Sequence, residues 1–152
     1  MSVRAGYLVH ADADGPRDQL DWNPEFSRRA RGFAVYAAVR SLGRSGVAEL
    51  VERCCAHARR FGDGLAAVPN AEVLNDIVLN QVLVRFLDEA GDHDARTRSV
   101  IEAVQREGTC WLSGTTWHGM TAMRISVSSW ATTSDDVERS LESIERAAAA
   151  AR

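Results

Sequence analysis

From Phe26 onward apolar residues recur mostly at steps of three and four: Phe26, Ala30, Phe33, Ala34, Ala37, Ala38 and Leu42. That spacing predicts a helix. Val35, Tyr36 and Val39 add apolar groups on another side, so the helix is expected to be covered on more than one face. Gly43 predicts its stop and Ser45 the cap of a second helix. The second stripe is cleaner, with Val47, Leu50, Val51, Cys54, Ala58, Phe61 and Leu65 on one side and Glu49, Glu52, Arg53, Arg59 and Arg60 outside it. His57 falls on the polar side, which predicts a surface residue, and the helix ends by Pro69-Asn70.

The pattern then changes period. Residues 72–86 are rich in β-branched side chains and predict one or two strands. A helix follows from Ala95 to Arg106, burying Val100, Ile101 and Val104 and ending at Gly108. Thr109–Ser113 predicts a strand that runs through Gly114 and a turn at His118-Gly119 into the alternating stretch Thr121–Ser128. Thr133-Ser134-Asp135-Asp136 opens the last helix with a capping-box arrangement, and Val137, Leu141, Ile144 and Ala148 form its buried stripe. Strands joined by hairpins and covered by helices give an α+β fold: a small, mainly antiparallel sheet preceded by two linking helices. At 152 residues, with no repeats and no internal boundary, one domain is expected.

Composition narrows the chemistry by what it lacks. All 18 Lys-plus-Arg residues are arginine, so no residue of this chain can form the lysine Schiff base of aldolases and pyridoxal phosphate (PLP) enzymes. A net charge of -3 argues against generic nucleic-acid or anionic-membrane binding. Cys54, Cys55 and Cys110 have no metal-ligand spacing, which predicts free thiols in a reducing cytoplasm. No signal pattern opens the chain and no apolar run approaches the ~20 residues of a membrane span; a cytoplasmic protein is expected. Asp, Gly and Pro make residues 10–24 a loop, and Asp12-x-Asp14-Gly15 has its glycine too early for a calcium site.

Two places invite a ligand. Ser27-Arg28-Arg29-Ala30-Arg31 packs three guanidinium groups into the opening turn of a helix, whose N-terminus already carries about half a positive charge. An anion or neighbouring carboxylates must compensate. Arg124 stands mid-strand among core residues, where burial demands a partner: an internal Asp or Glu, or the carboxylate of an acidic ligand held bidentately. Among His10, His57, His93 and His118 no metal-ligand spacing occurs, and His118, in a turn before Arg124, is the better site candidate of the four.

Taken in order, Tyr7-Leu8, the acidic loop, Pro24-Glu25-Phe26-Ser27-Arg28-Arg29-Ala30-Arg31, Leu42-Gly43-Arg44-Ser45-Gly46 and Met123-Arg124-Ile125-Ser126-Val127 resemble the C-terminal part of the group II PLP-dependent decarboxylases, the family of glutamate and aromatic amino acid decarboxylases. The Ser-Arg-Arg-x-Arg run is the most specific part. The resemblance implies the C-terminal small domain of a PLP fold type I enzyme, with residues 1–25 as an N-terminal segment and mobile loop and 26–152 as linking helices and small α+β domain. It implies a fragment without the large domain that holds the cofactor lysine, inactive alone and binding no PLP covalently. It makes Tyr7 the catalytic loop tyrosine that protonates the substrate carbon after carbon dioxide leaves, Arg124 the holder of the substrate's α-carboxylate, and Ser27 and Arg28 cofactor-binding residues near the phosphate. The implied partners are a second subunit or the large PLP domain, and an amino acid is the parent enzyme's substrate. The residues themselves leave open an alternative, a non-catalytic dimerising or acidic-ligand-binding α+β module.

Overall fold

The structure is a computed structural model that describes Trp22 and residues 29–151. Seven elements follow in the order α1 (Arg31–Ala66), β1 (Ala71–Val73), β2 (Gln81–Phe86), α2 (His93–Glu107), β3 (Ser113–Trp117), β4 (Met120–Ser126) and α3 (Ser134–Ala150). α1 is two helices merged across Gly43, whose φ of 63° and ψ of -173° are not helical. Glycine is the residue that tolerates this conformation, so the sequence's predicted stop is where the helix breaks. The same residue closes the first of two compact units, Met1–Gly43 and Arg44–Arg152.

In the first unit the described helical residues expose Phe33, Val35, Tyr36, Val39 and Leu42. The covering expected from two-sided apolarity is therefore absent from this stretch.

The second unit is a four-stranded antiparallel sheet in the order β1-β2-β4-β3 with helices packed on it. Alternation sends Val82, Val84 and Phe86 of β2 and Met123 and Ile125 of β4 to one face. There they join Cys54, Ala58, Phe61 and Leu65 of α1, Val100, Ile101 and Val104 of α2, and Val137 and Ile144 of α3 in one core. Each fully buried valine, leucine, isoleucine, phenylalanine or methionine among them contributes about 1.5–3 kcal/mol. β3 begins at Ser113, four residues later than the sequence predicts, and contains Gly114. Residues 109–112 instead leave the left-handed Gly108 cap of α2, with Leu112 plugging the core and its carbonyl accepting from the Gln105 side chain at 2.8 Å.

Helix side chains complete the sheet where its ladder splays. The β2–β4 register pairs Val84 with Met123, so Phe86 would next face Thr121. Their amides turn instead to α2: Phe86 N–H donates to Thr97 Oγ1 at 3.0 Å and Thr121 N–H to Asp94 Oδ1 at 3.1 Å. At the other end Asn80 extends the same ladder, its carbonyl accepting from Val127 N–H at 2.9 Å and its side chain donating back to the Val127 carbonyl at 2.8 Å.

The helices are fastened to each other by polar contacts. Thr133 and Asp136 form the predicted capping box at the start of α3. Glu107, at the end of α2, accepts from Ser143 Oγ and, at 2.6 Å, from Arg146 Nη2. The Ser143 hydroxyl first, and the Arg146 guanidinium second, hold the Glu107 carboxyl down at about 2. Arg96 Nη2 reaches the Ala148 carbonyl at 3.2 Å, placing a cation where the C-terminal end of α3 carries partial negative charge.

Candidate functional site

Arg124 sits in the middle of β4, opposite Leu83 of β2 on one side and Ser113 of β3 on the other. Because its neighbours Met123 and Ile125 point into the core, alternation turns Arg124 to the opposite face. It is exposed, which corrects the expectation of burial. The physical reason is one residue of register: the strand is apolar at 123, 125 and 127, and 124 falls between. Among the described residues its guanidinium meets no carboxylate, and Nη2 donates to Ser113 Oγ at 3.3 Å. The arrangement is a guanidinium on a rigid central strand, steadied by one neutral hydroxyl, with its charge uncompensated. It suits a carboxylate arriving from outside.

The same face carries a second arginine with a different role. Arg85 Nη1 donates to Met120 Sδ at 3.2 Å, and Nη2 lies 3.8 Å from Asp94 Oδ1. The Thr121 amide is the main reason the Asp94 carboxyl is lowered below its usual range, with Arg85 and Arg98 contributing less. Arg85 is thus engaged at the hairpin end of the sheet, and its buried Nε has no partner.

The histidines divide differently from their expected placing. His118 and Gly119 occupy the tip of the β3–β4 hairpin with φ of 48° and 80°, the signature of a two-residue type I′ turn. His118 packs edge-on against Trp117 with ring centroids 4.6 Å apart. The hairpin puts it at the far end of β4 from Ser126, so the structure does not bring it to Arg124. His57 is buried, only 7% exposed, and its Nε2 has no partner; the surface position predicted for it is wrong because α3 packs along that side of α1, Leu141 lying against Gly64. His93 Nδ1 accepts from the Asp88 amide at 2.8 Å and closes the turn before α2.

Tyr7, Ser27 and Arg28 lie outside the described residues, as does His10. Among the described residues no cluster of His, Cys, Asp or Glu could hold a metal ion, and no helix is long and apolar enough to cross a membrane. Cys54 and Cys55 are free and buried, and Cys110 is free and half-buried, its thiol pushed up by that burial. The donor set does not fit a covalently held aldehyde cofactor, because the sequence contains no lysine to anchor it.

Comparison with known proteins bears on this geometry. The family model described as "Pyridoxal-dependent decarboxylase conserved domain" matches residues 1–87. Histidine decarboxylase of Mus musculus is 26% identical over 148 residues, which are 97% of this chain and 22% of that protein. Tyrosine decarboxylase 2 of Arabidopsis thaliana is 27% identical over 110 residues, 70% of this chain and 20% of that one. The chain therefore spans about a fifth of the length of these relatives. Among solved structures, Oryza sativa TDC with PLP and tryptamine superposes with a TM-score of 0.74 at 22% identity, covering 88% of this chain and 29% of the other. Mouse CSAD gives 0.71 at 16% identity over 92% of this chain and 32% of its own. At these identities the structural likeness speaks for the fold alone.

Proposed function

Because the chain belongs to the pyridoxal-dependent decarboxylase family, we propose that it supplies the substrate-carboxylate arm of a PLP-dependent amino acid decarboxylase, a carboxy-lyase, whose cofactor-anchoring lysine comes from a large domain outside this sequence. The observation that carries the proposal is Arg124: an exposed guanidinium on the sheet face away from the main core, with no carboxylate partner among the described residues and only the Ser113 hydroxyl to steady it.

PLP, when bound to the anchoring domain, supplies an electron sink for the bond that breaks. The residues of this chain bind and orient. Arg124 receives the α-carboxylate through paired N–H donors, and its fixed strand position sets the direction in which carbon dioxide departs. Tyr7 holds a proton for the carbon that loses carbon dioxide, and its loop excludes water as it closes. Ser27 and Arg28 lie on the phosphate side, just before α1, which begins at Arg31 and whose N-terminal partial positive charge favours an anion. The assembly works as a homodimer or with the large PLP domain, in the cytoplasm, on an amino acid substrate.

The test is direct. Purified chain mixed with PLP and amino acids is expected to show no stable Schiff-base absorbance and no carbon dioxide release. Robust decarboxylation by this chain alone overturns the proposal.

A further inference from the structure

Strand register decides what stands beside Arg124. Leu83 of β2 is opposite it on one side and Ser113 of β3 on the other, and alternation puts Ala122 and Thr115 on the same face two residues along. Leu83 and Ala122 are buried, so the floor next to the guanidinium is apolar. Glu72, the acidic residue of β1, is paired with Arg85, and β2 separates it from β4. Arg124 Nη2 donates to Ser113 Oγ at 3.3 Å, which draws the guanidinium towards β3, the edge strand. Ser113 is itself well fixed: Leu112 before it is sunk in the core with its carbonyl accepting from Gln105 at 2.8 Å, and Ser113 opens the β3 ladder. Arg124 is exposed and Ser113 half-buried, so a solute reaches both.

We propose that Ser113 is a second substrate-binding residue, whose hydroxyl donates to the carboxylate that Arg124 holds. The inference rests on the carboxylate-holding role given to Arg124 above. A serine hydroxyl offers one proton and two lone pairs. At Ser113 a lone pair takes the Arg124 N–H, and among the described residues the proton meets no acceptor. An arriving carboxylate supplies one. An oxygen about 2.8 Å from both Nη2 and Oγ closes a triangle on their 3.3 Å side, its N–H bond bent but still above the ~120° at which such bonds weaken steeply. That oxygen then receives an N–H from the arginine and the O–H from the serine, and the second oxygen is left to the other guanidinium N–H groups. The hydroxyl thus does two things at once: it steadies the fork and adds a donor to the anion. Leu83 and Ala122 beside it bring no competing polar group, which favours both charge-assisted bonds.

Acetate, a bare carboxylate, tests the proposal on the whole chain. It is titrated at constant ionic strength, and the Nε–H signals of Arg124 and of Arg106, an exposed arginine in the last turn of α2, are followed by nuclear magnetic resonance. Arg124 is expected to reach half-saturation at an acetate concentration about fivefold below that of Arg106, the effect of one additional hydrogen bond. Ser113→Ala is expected to remove this advantage, and Ser113→Thr, which keeps the hydroxyl, to retain it. Thr115→Ala, on the same face two residues along, is expected to leave it unchanged. Circular dichroism matching the unsubstituted chain shows that each form still folds. An Arg124 that takes acetate no more tightly than Arg106 overturns the proposal, as does an advantage that survives Ser113→Ala or is lost with Ser113→Thr or Thr115→Ala. The decarboxylase reading is tested separately, by carbon dioxide release. An acetate advantage that depends on Ser113, found together with release indifferent to Arg124→Gln, refutes that reading and leaves the carboxylate site standing.

Discussion

Replacing Thr97 by valine removes one oxygen and almost no volume, and it isolates the contact by which α2 completes the sheet. Thr97 is fully buried; its Oγ1 accepts from Phe86 N–H at 3.0 Å and donates to the His93 carbonyl at 2.8 Å. The His93 carbonyl keeps its intrahelical partner, so its loss is small. Phe86 N–H has no second acceptor, because the β2–β4 ladder ends at the Val84–Met123 pair. Leaving that amide buried and unpaired costs about 1–3 kcal/mol, while the added methyl returns up to about 0.8 kcal/mol. Valine and threonine have similar helix propensities, so local structure contributes nothing that competes. The net destabilisation is about 0.2–3 kcal/mol, with a middle value of ~1.5 kcal/mol. Urea unfolding followed by circular dichroism should show it as a lowered midpoint with an unchanged slope. Amide exchange should show Phe86 losing protection while Val84, still paired in the ladder, keeps it. A Thr97→Val variant as stable as the parent, with Phe86 still protected, would show that Thr97 Oγ1 does not hold the Phe86 amide.

Acid sensitivity follows from the lowered carboxyls. Glu107 is held at about 2 from an ordinary 4.5, so its contribution to stability is complete above 4.5 and drains away as pH falls towards 2; Asp136 and Asp94 are lowered too and act in the same direction. Melting temperatures measured down this range should fall, and Glu107→Gln should flatten the fall; identical slopes for the two proteins would count against the clamp. Thr133→Ala removes the hydroxyl that accepts from Asp136 N–H and leaves the backbone half of the α3 capping box, Thr133 N–H to Asp136 Oδ2, in place; it should cost about 1 kcal/mol in urea unfolding, whereas Thr133→Ser should cost clearly less; equal losses would show that the methyl and not the cap matters.

Much of the fold is legible in the sequence alone. Gly43, Gly108 and the Thr133–Asp136 box announce helix ends because their chemistry acts within a few residues. The α+β class followed from the same local signals, with periods of three to four giving way to alternation. Arg124 stands out in the sequence, but the burial expected for it is wrong. Telling a buried from an exposed strand residue depends on which of two faces the core occupies, and one residue of register decides it. His57 failed for a related reason: Gly64 lets Leu141 of α3 come close to α1, and that approach is invisible in a helical wheel. The β3 boundary slipped because residues 109–112 have strand-like composition, yet Leu112 is spent on the core and Gln105 takes its carbonyl. Tyr7, Ser27 and Arg28 came from family resemblance, which no local rule could replace.

Whether Arg124 grips a substrate carboxylate for a lysine-bearing domain can be read in a graft. The stretch of the Mus musculus histidine decarboxylase that this chain matches, about a fifth of that protein, is exchanged for this chain, and carbon dioxide release from labelled amino acids is compared for the graft and for its Arg124→Gln form, each first shown by absorbance to hold PLP. Release from the graft is expected, with a loss of about a hundredfold or more in kcat/KM for the glutamine form, as when one partner of a bidentate charge pair is removed. Equal release from the two forms would show that Arg124 does not hold the substrate.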